Sequence, residues 1–167
     1  MGEILTDKDI EKIRSEITYR KIELRPKLLE ALKEAREQGD LSENFEYYTA
    51  KREKNRNESR IRYLERILKT CEVITDNSAD DEVGLNNTVT VYIEEDDEEE
   101  TYKIVTSIRG DSLEGRISID SPLGKALMHR KVGERVTVKV NDDYSYDVII
   151  RRLDKDSSED DDQISSY

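Results

Sequence analysis

At 167 residues the chain is long enough for one ordinary domain or two small ones, and 34% hydrophobic content is thin for a single compact core. With 41% charged residues, no Trp and one Phe, much of the surface must be solvated, as where helices pack along a narrow seam. The net charge of −12 argues against strong binding to free nucleic acid, although the acidity is unevenly placed. Residues 1–75 carry 17 Lys and Arg against 16 Asp and Glu, and the remainder carries 11 against 24.

Cys71 is the only cysteine, which excludes an internal disulfide and points to a reducing compartment. Residues 1–10 alternate charged and apolar side chains without the apolar core of a secretory leader. No stretch approaches the roughly 18 apolar residues of a membrane span. A soluble, cytoplasmic protein with no membrane contact is expected.

A helix is predicted to begin at Asp7, because Thr6 is a capping residue, Asp9 answers it, and Leu5 and Ile10 are spaced as a hydrophobic staple. Apolar residues then recur at Ile10, Ile13, Ile17, Leu24, Leu28, Ala31 and Ala35, a heptad seam with one gap at Arg20. Pro26 removes a backbone donor and crowds the preceding turn, so the helix should kink or divide near Arg25. The run breaks at Gln38-Gly39-Asp40. A second stripe follows at Tyr47, Ala50, Lys54, Asn57, Ile61, Leu64, Leu68 and Cys71. Together they predict an all-α antiparallel coiled-coil hairpin over residues 1–75 with its tip near 38–46. The first arm, about 32 residues at 1.5 Å each, would be a rod of roughly 45–50 Å, longer than a compact domain needs.

Residues 76–87 are polar and rich in turn formers, and read as a linker. Beyond them the apolar period changes to two, at Val89-Val91-Ile93, Tyr102-Ile104, Ile117-Ile119, Val136-Val138-Val140 and Tyr146-Val148-Ile150, five short strands. Between the third and fourth, Ser121 as cap and Pro122 at the first helical position open a short helix through Leu123, Ala126 and Leu127. Residues 88–153 therefore read as a small α+β domain. Glu94–Glu100 reads as a solvated acidic hairpin turn, and 154–167 as a disordered acidic tail.

The tip gathers like charges. Asp40, Glu43 and Glu46 stand three residues apart at an exposed apex. A plain explanation is that Asp40 or Ser42 caps the second helix and the glutamates complement its dipole. Alternatively, two such carboxylates bind Mg²⁺, but weakly, because the ion wants six oxygens and gives up water reluctantly. A convex apex does not exclude water, so they make chemical sense as ligands donated to another protein's site. Behind the tip, residues 51–69 hold eight Lys and Arg against three Glu. That flank is either a solvated surface with intrahelical pairs such as Glu58 with Arg62, or a contact for nucleic-acid phosphate, for which Lys51, Arg52 and Arg56 are the candidates. Tyr47 and Tyr48 could stack on a base, though their spacing also suits seam packing.

The segment Glu34-Ala35-Arg36-Glu37-Gln38-Gly39-Asp40-Leu41-Ser42-Glu43-Asn44-Phe45-Glu46-Tyr47 resembles the hairpin-tip signature of the bacterial Gre family of transcript cleavage factors. Ile117-Ser118-Ile119-Asp120-Ser121-Pro122-Leu123-Gly124-Lys125-Ala126-Leu127 is similar to that family's second signature, and the likeness spans about residues 5–152. It implies an FKBP-like second domain with an antiparallel sheet and one short helix, docking on RNA polymerase, for which Ser121, Pro122 and Leu123 are the candidates. It further implies that the hairpin enters the polymerase's secondary channel and reaches the nascent RNA 3′ end. There Asp40 and Glu43 would share a Mg²⁺ with the polymerase and stimulate cleavage of backtracked RNA, the chain itself being no independent enzyme. The alternative is a related channel-binding regulator that modulates polymerase without stimulating cleavage. Phe45, Ile108-Arg109-Gly110-Asp111 and His129-Arg130 depart from the family's commoner residues.

Overall fold

The computed structural model describes residues 2–38, 44–155 and 162–165. Two compact units account for them, one built on residues 10–71 with Gly2, the other on residues 3–9 and 72 onward.

Helix α1 (Asp7–Tyr19) starts where the capping box places it: the Thr6 amide donates to Asp9 Oδ2 at 3.0 Å and the Asp9 amide to Thr6 Oγ1 at 3.1 Å. The first arm changes helix type near Arg25, where the proline places the division. A π-helical turn spans Arg20–Leu24, with the Arg25 amide donating to the Arg20 carbonyl, and helix α2 (Arg25–Glu37) then carries Pro26 in its first turn. Proline has no donor to offer the Ile22 carbonyl, and a widened turn accommodates that missing bond just upstream. Helix α3 runs Phe45–Thr70.

Within the first unit Ile13, Ile17, Leu32 and Ala35 are buried from the first arm, and Ala50, Asn57, Arg60, Ile61, Leu64 and Ile67 from α3. Two seam positions differ from the expectation. Leu32 is buried where spacing favours Ala31, and Ile67 where it favours Leu68. Steps of three and four both satisfy a seam, and at the first site the larger side chain buries more apolar area.

In the second unit β1 (Ile4–Leu5) pairs in parallel with β2 (Glu72–Val73). The main sheet has the order β5-β4-β3-β7-β6, built from β3 (Thr88–Ile93), β4 (Glu98–Val105), β5 (Arg116–Ser118), β6 (Arg135–Lys139) and β7 (Ser145–Asp154). The expected antiparallel sheet is corrected here to a mixed one, because β4 and β5 pair in parallel. The residues between them form two 3-10 turns, Ser107–Arg109 and Ser112–Glu114, which bring the chain back so that both strands run the same way. The acidic turn is also shorter than expected: Glu98–Glu100 already pair with β3 through Ile93, Tyr92 and Val91.

Helix α4 (Pro122–Leu127) places Leu123 and Leu127 in the same core as Val89, Val91, Ile104, Val136, Val138, Val148 and Ile150. Among the described residues no helix is long and apolar enough to cross a membrane.

Candidate functional site

Asp40 and Glu43 lie outside the described residues, so the tip is built from what flanks it. The first arm ends at Glu37, with the Gln38 amide donating to the Ala35 carbonyl at 3.4 Å. Asn44 begins the second. Its backbone is extended, its Oδ1 accepts from the Tyr47 amide at 3.0 Å, and its Nδ2 donates to the Ala35 carbonyl at 2.7 Å. One side chain thus caps α3 and gives the Ala35 carbonyl, near the end of α2, a second and shorter hydrogen bond. The expectation that Asp40 or Ser42 caps the second helix is corrected by this bond: the capping residue is Asn44. Residues of capping type crowd this turn, and spacing alone does not choose among them.

Under the tip, Leu32, Ala35 and Ala50 form a small buried cluster with Tyr47 against it. Tyr47 is therefore packing, with the Arg36 guanidinium 5.8 Å above its ring and Tyr48 edge-on at 5.5 Å. Phe45 is 84% exposed in the first turn of α3. The open groove beside it is lined by Ala31, Ala35 and Phe45 together with Glu34, Glu46 and Glu53. Those three carboxylates make the groove unfavourable for phosphate, and the cations of this stretch lie farther along α3. Lys51, Arg52 and Arg56 are all exposed there.

Midway along the unit a polar network interrupts the seam. Glu16 Oε2 accepts from Arg20 Nε at 2.7 Å and from Arg60 Nε at 2.8 Å, while Arg20 Nη1 donates to Asn57 Oδ1 at 3.0 Å and Asn57 Nδ2 returns a bond to the Arg20 carbonyl at 3.2 Å. Burial pushes the Glu16 carboxyl up, but hydrogen bonds and charge from Arg60 and Arg20 outweigh it and hold the group below the usual glutamate range. Glu58, expected to pair with Arg62, instead takes a bidentate pair from Arg25 at 3.0 and 2.9 Å, and Arg62 donates to Ser59. The gap at Arg20 and the polar seam residue Asn57 were the available signals for this network.

In the second unit the segment around Ser121 is held tightly. Ser121 Oγ accepts from the Gly124 amide at 3.0 Å and donates to the Ser118 carbonyl at 2.6 Å, and Ser107 Oγ donates to Asp120 at 2.8 Å. A Cβ at Gly124 would stand 2.0 Å from the Ser118 carbonyl oxygen, so only glycine lets α4 lie this close to β5. Of the three docking candidates, Ser121 is the helix cap, Pro122 is exposed and Leu123 is a core residue. The surface of this segment is presented by Asp120, Pro122 and Lys125. His129 follows α4 at φ 66°, a left-handed conformation that suits glycine, and its Nδ1 lies 3.2 Å from Glu82.

The sequence departure at Arg109 has a structural role that local pattern does not reveal. Arg109 is fully buried: its Nε donates to Asp9 Oδ1 at 2.5 Å and its Nη1 to Asp162 Oδ2 at 2.8 Å. Asp162 belongs to the tail expected to be disordered. It is corrected to a buried residue, because its carboxylate supplies a counter-charge to a buried guanidinium.

Residues 3–73 match the family model for the transcription elongation factor N-terminal domain, and residues 78–150 the model for the GreA/GreB C-terminal domain. The chain is 44% identical to the transcription elongation factor GreA of Thermotoga neapolitana and 42% to that of Bacillus subtilis, in each case over 81% of this chain and 86% of the relative. The solved GreA factor homolog 1 of Thermus thermophilus is 24% identical, covering 92% of this chain and 99% of that one at a TM-score of 0.43. The chain belongs to the GreA/GreB family of transcription elongation factors.

Proposed function

We propose that this chain is an elongation factor that binds RNA polymerase, places its helical tip in the secondary channel and stimulates the polymerase's own cleavage of backtracked RNA. The first unit acts as an antiparallel hairpin. Its pairs support that reading, since partners step down α3 as they step up the first arm, from Glu16 with Arg60, to Arg20 with Asn57, to the Ala35–Ala50 cluster. The second unit is the docking domain, FKBP-like in its mixed five-stranded sheet with one helix in the core.

The observation that carries the proposal is the Asn44 cap. The plain explanation gave Asp40 or Ser42 the work of capping α3 and the glutamates that of complementing its dipole, and the capping is done by Asn44. On this reading Asp40 and Glu43 would serve as ligands for a Mg²⁺ shared with the polymerase, which would lower the pKa of a bound water for phosphodiester hydrolysis. Two carboxylates three residues apart suit that hard ion and are too few to hold it alone, which makes the chain an accessory rather than an independent enzyme. Lys51, Arg52 and Arg56 lie behind the acidic end, where they contact phosphate of the nascent RNA 3′ segment. Asp120 and Pro122 form the exposed part of the docking segment that Ser121 and Leu123 hold in shape.

The test is to add the protein to stalled, backtracked polymerase complexes with Mg²⁺ and follow RNA length. Faster cleavage than with polymerase alone is expected, and an unchanged rate overturns the proposal.

A further inference from the structure

The buried arginine of the second unit shares its tail carboxylate with two further cations. Three cations converge on one tail carboxylate: Lys103 Nζ and Arg109 Nη1 donate to Asp162 Oδ2 at 2.9 and 2.8 Å, and Arg116 Nε stands 4.0 Å from Oδ1. The β4–β5 register sets Lys103 directly opposite Arg116, so a single carboxylate spans both strands. Asp9 does not fill this place, because its own oxygens are engaged by Arg109, Thr106 and the Thr6 amide. Among the described residues Asp9 pairs with Arg109 and Asp111 lies 3.9 Å from Arg116, whereas Asp162 is the carboxylate that stands within 4.0 Å of all three cations.

The occupant is held as a peptide and not merely as an ion. Asp162 is buried, Gln163 exposed, Ile164 half-buried and Ser165 exposed, so alternate side chains turn toward the unit. Three residues past the carboxylate, the Ser165 amide donates to the Ile108 carbonyl at 2.7 Å. The cations all lie within the region matched by the family model, residues 78–150, whereas the occupant lies beyond it.

We propose that the cleft of Lys103, Arg109 and Arg116 is a receptor for an aspartate-bearing extended peptide, with this chain's own tail, Asp162–Ser165, as its resident ligand in cis. An acidic segment of a partner protein enters only by displacing the tail. Recognition rests on the carboxylate at one position, an apolar side chain two residues later and a backbone amide after that.

The experiment uses full-length protein and a fluorescein-labelled peptide of residues 156–167 as probe, read by anisotropy at low salt. In wild type the tethered tail competes at an effective concentration near the millimolar range, so the peptide binds poorly, and Asp162→Asn in the protein should tighten binding by about tenfold or more. A peptide carrying Asn in place of Asp162 should lose that binding, and Lys103→Met added to the Asp162→Asn protein should weaken it. Equal binding to wild type and Asp162→Asn protein, no binding to either, or equal binding of the Asp and Asn peptides overturns the proposal. Amide NMR shifts of Ile108 and Arg109 provide the second reading: they move on going from wild type to Asp162→Asn and move back on adding peptide, and the absence of either change contradicts the assignment.

Discussion

The side-chain amide of Asn44 donates to the Ala35 carbonyl at 2.7 Å while its oxygen caps α3, so one residue closes the base of the tip from both sides. Asn44→Ala removes both bonds and should cost about 1–2 kcal/mol. Asn44→Asp keeps an acceptor for the Tyr47 amide and loses only the donor to Ala35, so its loss should be roughly half as large or less. Urea unfolding of the two variants beside wild type measures the difference, and equal losses would contradict the dual role.

Asp9 joins two functions, the reciprocal cap with Thr6 and the counter-charge for buried Arg109. Removing one partner of a fully buried pair leaves the other short of counter-charge, which Asp162 offsets only in part for Arg109, so Asp9→Ala and Arg109→Met should each destabilise by about 3 kcal/mol. The double variant should lose less than the two losses added, because neither charge is then left alone. Thermal unfolding of the four proteins gives the coupling directly, and strict additivity would show that the residues act independently.

The Glu16 carboxyl sits below the usual 4.5 in the folded chain, held there against burial by Arg60 and Arg20. A depressed folded value means that the unfolded chain takes up protons first as pH falls. The stabilisation from Glu16 is therefore complete above the ordinary glutamate range, declines as pH falls through it, and is gone below the folded value. Glu16→Gln should be less stable than wild type at pH 7, with the gap narrowing toward pH 3. A gap constant across that interval would show that the charge on Glu16 contributes nothing.

Gly124→Ala places a methyl 2.0 Å from the Ser118 carbonyl oxygen, a backbone atom that does not step aside cheaply. Separation of α4 from β5 should follow, with a loss of about 1–3 kcal/mol. Hydrogen exchange at the Gly124 and Lys125 amides, both bonded to Ser121, reports whether the cap opens with it. Unchanged stability and exchange would mean that the close approach is dispensable.

Legibility in the sequence followed the range of the interaction. The Thr6–Asp9 box and the Ser121 cap are set by residues three apart, and both are found where spacing places them. The division of the first arm was visible because Pro26 acts locally, although the π-helical turn preceding it was not. Asn44 was missed as the cap because Asp40 and Ser42 are chemically equivalent candidates nearby. The parallel β4–β5 pair was hidden because no periodicity records strand direction. Arg109 was noticed only as a departure: its partners Asp9 and Asp162 lie 100 and 53 residues away, and charge composition made the tail look fully solvated.

Asp40 and Glu43, the proposed ligands lent to the polymerase, are tested most directly by comparing Asp40→Ala and Glu43→Ala with wild type on backtracked complexes, scoring RNA cleavage and polymerase binding together. Cleavage stimulation should be abolished in both variants while binding stays largely intact, because the proposed docking segment around Asp120 and Pro122 is untouched. Cleavage at the wild-type rate, or a loss of binding equal to the loss of cleavage, would contradict that role.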